Sequence, residues 1–215
     1  MKLANLFTAA CLVAGLAAPA CKKEEDKAPT PATGSAGSSA SVTEPASEPD
    51  ARADHITVLA HHKNPKPSDP VRINFEKFRV VKADFDPQKI EGGTATIEIA
   101  LSSFRTDSDE RDEHLKSPAY LDVAKLATAT ITIANVKQKA GATYAADATV
   151  VAHGITKTYP ITFDVLDRKA DRITIKGTHT FGRLDFGIGS DPAQNPEEQV
   201  GTDVTIEMVL TITKS

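Results

Sequence analysis

From Pro70 onward the chain alternates. Val71, Ile73 and Phe75 are spaced by Arg72 and Asn74, Ala95, Ile97, Ile99 and Leu101 by Thr96, Glu98 and Ala100, and Ala129, Ile131 and Ile133 by Thr130 and Thr132. Ile161, Phe163 and Val165 keep the same rule, as do Ile173, Ile175, Gly177 and His179, and then Val204, Ile206, Met208, Leu210 and Ile212. A period of two places the apolar side chains on one face of a strand and the polar ones on the other. Turn chemistry separates the runs at Asp86-Pro87, Gly92-Gly93, Lys139-Ala140-Gly141, His153-Gly154 and Asp167 to Asp171. About eight two-faced strands predict an all-β, antiparallel sheet, closed into a barrel or sandwich so that its edges disappear. One stretch, from about Arg111 to Lys125, reads as short and helical or irregular, and Pro118 interrupts it.

The apolar face often uses small residues: Ala95, Ala129, Ala146, Ala148 and Gly177. An eight-stranded barrel is just wide enough to be filled by side chains or to hold one small ligand. Small inward residues therefore predict an internal cavity, unless large side chains on facing strands occupy the space.

The first 54 residues follow another pattern. After Lys2, an apolar run from Leu3 to Leu16 is broken by Asn5 and Thr8, and small residues follow to Ala20. That is the layout of a secretory signal peptide over residues 1–20, too short for a spanning helix of about 20 apolar residues. Ala18-Pro19-Ala20 forms an A-x-A cleavage site that would release a soluble protein. The same residues followed by Cys21 resemble a bacterial lipobox, in which the cysteine is acylated and becomes the new N-terminus. By analogy with Gram-negative lipoproteins, Lys22 in place of Asp would direct the anchored protein to the outer membrane. From residue 21 to 54 the chain holds mainly Pro, Ala, Ser, Thr, Gly and Glu. Such a segment cannot bury enough surface to offset its ordering entropy and reads as a disordered stalk. One folded domain remains, residues 55–215.

Composition narrows the function. A hydrophobic content of 40% and a charged content of 25% are ordinary for a soluble domain. A net charge of −4 without a Lys/Arg cluster argues against nucleic acid as a partner. Both cysteines, Cys11 and Cys21, lie in or at the end of the export segment, so the domain has no disulfide, thiolate metal site or cysteine nucleophile. His61 and His62 are sequential and point to opposite faces of a strand, and His55, His153 and His179 are scattered, so no metal site is expected.

Three stretches depart from generic strand. The first is Ser103-Phe104-Arg105-Thr106-Asp107 followed by Arg111-Asp112-Glu113-His114-Leu115-Lys116-Ser117. The second runs from Ala148 to Lys157 and contains His153-Gly154-Ile155-Thr156. The third is Phe181-Gly182-Arg183-Leu184-Asp185-Phe186-Gly187-Ile188-Gly189. In this order they resemble the YceI-like family, whose motifs read S-I-x-T, R-D-x-H-L-x-S, L-T-I-x-G-V-T and R-x-D-F-G. The resemblance spans about Ile56 to Thr213. It implies an exported, lipocalin-like antiparallel barrel, some members of which bind a polyisoprenoid lipid. Tyr120-Leu121 replaces the family's F-F, Val150-Val151-Ala152-His153-Gly154 replaces L-T-I-x-G, and a Pro-rich insertion follows His61-His62.

Arg111, Asp112 and His114 have the chemistry of acid–base catalysis, which needs a substrate within hydrogen-bond reach. The nearby hydroxyl, Ser117, precedes Pro118 and lacks a nucleophile-elbow pattern. An Arg–Asp anchor holding a loop across the barrel mouth accounts for these residues without catalysis, and no enzymatic activity is expected. Arg111, Asp112, His114, Arg183 and Asp185 are the candidate rim or headgroup contacts, since guanidinium suits phosphate. Phe78, Ile97, Ile99, Ile131, Val150, Phe163 and Phe181 are the candidate cavity wall. The expected function is non-enzymatic binding of a long apolar lipid, a polyisoprenoid or isoprenoid quinone, at the bacterial envelope. No cofactor is expected apart from such a bound lipid. The rival reading is an envelope structural or interaction protein whose barrel is filled by its own side chains.

Overall fold

The structure, a computed structural model, describes residues 53–215; the export segment 1–20, Cys21 and the stalk to residue 52 lie outside the described residues. The strands are β1 (His55–His62), β2 (Val71–Phe75), β3 (Phe78–Asp86), β4 (Lys89–Ala100), β5 (Phe104–Arg105), β6 (Thr128–Ala140), β7 (Thr143–Ala152), β8 (Ile155–Arg168), β9 (Arg172–Gly182) and β10 (Val200–Thr213). One helix, α1 (Asp109–Lys116), follows β5. All ten strands form one sheet in the order β3-β4-β6-β7-β8-β9-β10-β1-β2-β5, and every pairing is antiparallel.

Ten strands appear where the alternation predicts about eight. Two apolar-polar runs are each broken once: β2 and β3 part at Glu76-Lys77, and β4 and β5 part at a 3₁₀ turn over Leu101–Ser103. Counting each broken run once, ten minus two gives eight. The breaks face each other. Glu76 N–H donates to Ser103 O at 3.2 Å and Ala100 N–H to Lys77 O at 2.9 Å, and Lys77 N–H donates to Ser103 Oγ at 3.0 Å. At the opposite end, Ser215 N–H donates to Ala83 O and Ala83 N–H to Ser215 Oγ, each at 3.1 Å. The sheet thus curls back on itself as a lipocalin-like barrel.

Local chemistry sets the connections. The β7–β8 hairpin turns on His153 (φ 51°) and Gly154 (φ 75°), both left-handed as a two-residue type I′ turn demands. Helix α1 starts at Ser108, whose side chain accepts from Arg111 N–H at 3.3 Å, and Asp109, Glu110 and Asp112 favour its positive end. It stops at Ser117, where Pro118 disfavours a helical residue before it.

The barrel interior is unevenly filled. Towards the hairpins at residues 86–89, 140–143 and 168–172, Ile97, Phe85, Ile90, Val136, Ile175 and Ile212 belong to one packed cluster. There the Tyr144 and Phe163 rings stack with centroids 5.8 Å apart. This is the closed end; the other end is the mouth, framed by α1, the β7–β8 hairpin and the β9–β10 connection.

Candidate lipid cavity

Above the packed end lies a cavity of about 870 Å³, inside the range of about 300–1,000 Å³ usual for small-molecule pockets. Ile99, Ile131, Val150, Phe163 and Phe181 line it, as the alternation leads one to expect; Phe78 and Ile97 do not. Ile97 is wholly enclosed in the packed cluster, and Phe78 packs against that cluster beside the β2–β3 break. The small residues divide similarly. Ala129, Ala148 and Gly177 border the cavity, whereas Ala95 and Ala146 do not. A Cβ built on Gly177 would meet nothing closer than Phe163 Cβ at 3.5 Å. The upper half of the bore is therefore hollow, and the barrel is not self-filled there.

The mouth is held by a buried ion pair. Arg183 donates from Nε to Gly201 O (2.7 Å), from Nη1 to Ile188 O (2.6 Å), and from Nη2 to Ser190 O (2.8 Å) and Val200 O (2.9 Å). Glu198, 3.7 Å from this guanidinium, accepts from Tyr120 Oη–H, Ser190 N–H and Val200 N–H. Burial alone would raise the Glu198 carboxyl, but these donors and Arg183 outweigh it and the net shift is downward. Tyr120 is pushed up, first by burial and then by Glu198. Gly189 (φ 69°) passes so close to Arg183 that a side chain there would collide with its guanidinium and crowd Glu198 and Tyr120. Arg183 lines the cavity, yet its donors are committed to backbone carbonyls and clasp the β9–β10 connection across the mouth.

The other rim candidates divide. Arg111 and His114 line the mouth; the Arg111 guanidinium pairs with Asp107, and the His114 ring lies 4.8 Å from that of Tyr120. Asp112 does not reach the cavity. It is buried, accepts from Thr106 N–H (2.9 Å) and Thr106 Oγ–H (2.7 Å), and has Arg105 at 3.8 Å. Arg111 and Asp112 are therefore not paired with each other: Arg111 pairs with Asp107 four residues earlier, and Asp112 holds Thr106. Asp185 also stands off the cavity and accepts from Tyr159 Oη–H at 3.2 Å. At the neighbouring β1–β2 loop, Asp69 binds His62 Nδ1 (2.5 Å), His62 N–H (3.2 Å) and Lys66 N–H (2.9 Å). The His62 ring, with these N–H groups, pulls the Asp69 carboxyl down to about 2.

One side of the wall lacks a continuous ladder. The β8–β9 pairing stops at Phe163↔Gly177, so Ile155–Thr162 and Thr178–Gly182 are not paired to each other. Thr162 and Thr178, at outward-facing strand positions, both border the cavity; the void reaches the wall there. The seam is covered by side chains. The Tyr159 ring lies 5.2 Å from His179 and 6.0 Å from Phe181. Burial and then Asp185 raise the Tyr159 hydroxyl.

The site candidates read from the sequence do not include Tyr120, Tyr159, His179 and Glu198, which line the cavity, although Tyr120 stands at a motif departure. For His179 the signal was present, since it falls on the apolar side of the β9 alternation; for Glu198, in an irregular connection, there was none. Among the described residues, no group of three or more His, Cys, Asp or Glu is placed to hold a metal ion.

Residues 49–212 match the model of the YceI-like domain. A UPF0312 protein of Shewanella baltica is 28% identical over 142 residues, 62% of this chain and 73% of that protein. A UPF0312 protein of Pseudomonas syringae pv. tomato is 31% identical over 131 residues, 58% of this chain and 67% of that protein. Among solved structures, BcnA of Burkholderia cenocepacia aligns with a TM-score of 0.62 at 22% identity, over 74% of this chain and 96% of that one. A polyisoprenoid binding domain from Saccharophagus degradans, implicated in plant cell wall breakdown, aligns with a TM-score of 0.58 at 17% identity, over 77% of this chain and 97% of that one. At these identities the two structures share the fold.

Proposed function

The chain belongs to the YceI-like family, and on that premise we propose that it binds one long apolar lipid, a polyisoprenoid or isoprenoid quinone, without changing it covalently. The observation that carries this reading is the hollow upper half of the barrel, bordered by Ala129, Ala148 and Gly177 where larger side chains would fill it. Burial of the lipid chain drives binding at roughly 25 cal/mol per Å² of apolar surface removed from water. The polyisoprenoid binding domain of the same fold supports the ligand class. The mouth residues are spent on structure: Arg183 on carbonyls, Glu198 on N–H groups, Asp112 on Thr106. That favours binding over catalysis.

The chain offers its own probe. It has three tyrosines and no tryptophan; Tyr120 and Tyr159 line the cavity, and Tyr144 stacks on Phe163 of the wall. Titrating the lipid-extracted full chain with a short-tailed isoprenoid quinone should quench tyrosine emission with saturation at one equivalent. Linear, unsaturable quenching would sink the proposal.

We place the protein at the bacterial envelope, exported and held at the outer membrane through acylated Cys21, with the residues up to 54 as tether. Cys21→Ser should move it from the membrane to the soluble fraction; an unchanged distribution would remove the anchor from the account.

A further inference from the structure

One side chain of the cavity wall packs on Tyr159 but leaves a polar atom without a partner. His179 borders the void from β9, and among the described residues its Nε2 is buried without a hydrogen-bond partner. Three other polar side chains bordering the cavity are committed: Tyr159 to Asp185, Arg183 and Glu198 to the clasp. A buried polar atom without a partner is destabilising, and an apolar residue would serve the wall beside Ile206, its cross-strand neighbour. We propose that His179 is the recognition point for the ligand's polar group, and that this group is an uncharged donor or acceptor such as a hydroxyl or carbonyl. The inference rests on the lipid-binding reading above.

The surroundings select against charge. An anionic group at His179 would approach the Tyr159–Asp185 pair, where the carboxylate lies one ring away. Among the described residues bordering the cavity, the Lys and Arg side chains are Arg111 and Arg183. Arg111 is paired with Asp107, and Arg183 gives its donors to carbonyls. A charged group at that depth would lose its hydration without a counter-ion, which is far costlier than burying a hydroxyl that finds one bond. Burial also lowers the His179 pKa, which favours the neutral ring, with one donor and one acceptor nitrogen. A half-turn about the broad terminal torsion exchanges ring nitrogens with carbons, so the imidazole can turn a nitrogen to the cavity without moving the strand.

Three ligands with one tail separate the possibilities: farnesol, farnesene without the hydroxyl, and farnesyl phosphate. Each displaces the quinone from the full chain, followed through tyrosine emission. Farnesol should bind about three- to tenfold more tightly than farnesene, the worth of one neutral hydrogen bond, and farnesyl phosphate more weakly than farnesol. His179→Phe should bring farnesol and farnesene to equal affinity, and His179→Gln should restore part of the difference. Equal binding of farnesol and farnesene, a preference that survives His179→Phe, or tightest binding of the phosphate would each overturn the assignment while leaving the lipid-binding reading intact. Failure of the wild-type chain to bind the quinone and all three ligands would overturn both.

Discussion

The guanidinium of Arg183 and the carboxylate of Glu198 stand 3.7 Å apart with only 3% and 4% of their side chains exposed. Their remaining hydrogen-bonding capacity is used on the backbone of the β9–β10 connection and on Tyr120. Removing one member of such a pair leaves a buried charge and several backbone groups unpaired. Arg183→Met should therefore cost about 3–5 kcal/mol, seen as a lower urea midpoint. Glu198→Gln, which keeps an acceptor for the N–H donors, should cost less. A loss below about 1 kcal/mol for Arg183→Met would mean that the clasp does not hold the mouth.

Gly177 tests the hollow barrel without touching its polar network. A Cβ there meets only ordinary contacts, so Gly177→Leu should place its side chain in the void and leave stability equal or higher, as cavity-filling changes often do. Quinone affinity should fall at least about tenfold, since the lost volume is ligand volume. Unchanged affinity in a folded variant would put the ligand elsewhere.

The pH dependence at the β1–β2 loop has a definite sign. The Asp69 carboxyl sits at about 2, against an ordinary 3.8. Above the ordinary value it is charged in both folded and unfolded chains, and its bonds to His62 and Lys66 stabilise fully. Below it the unfolded chain protonates first, and the benefit disappears as pH falls through about 2. Asp69→Asn should lower the urea midpoint near neutral pH and by much less near pH 2. A gap between the two proteins as large at pH 2 as at neutral pH would contradict this origin.

The strands were legible because alternation is local: each residue's face follows from its neighbours in sequence. The breaks at Glu76-Lys77 and Leu101–Ser103 were not, because it is the cross-strand bonds between residues 76–77 and 100–103 that reveal them. The cavity wall divides for a related reason. Parity places Ile97 and Ile99 alike on the inner face, but which of them faces a void depends on what the facing strands contribute at that height. Ile97 is engulfed by the packed end, while Ile99 borders open space. Arg183 was recognisable as a special residue from its motif. Its role was not, because Glu198 and the carbonyls it binds lie in a connection without periodicity.

The occupant of the barrel is read by recovering the full chain from its native cells, extracting it with solvent and identifying the extract by mass spectrometry. One isoprenoid lipid per protein with an uncharged polar head is expected, absent from the Gly177→Leu variant recovered in parallel. Repeated extracts without a stoichiometric lipid, or the same lipid at the same ratio from the filled variant, would contradict that expectation.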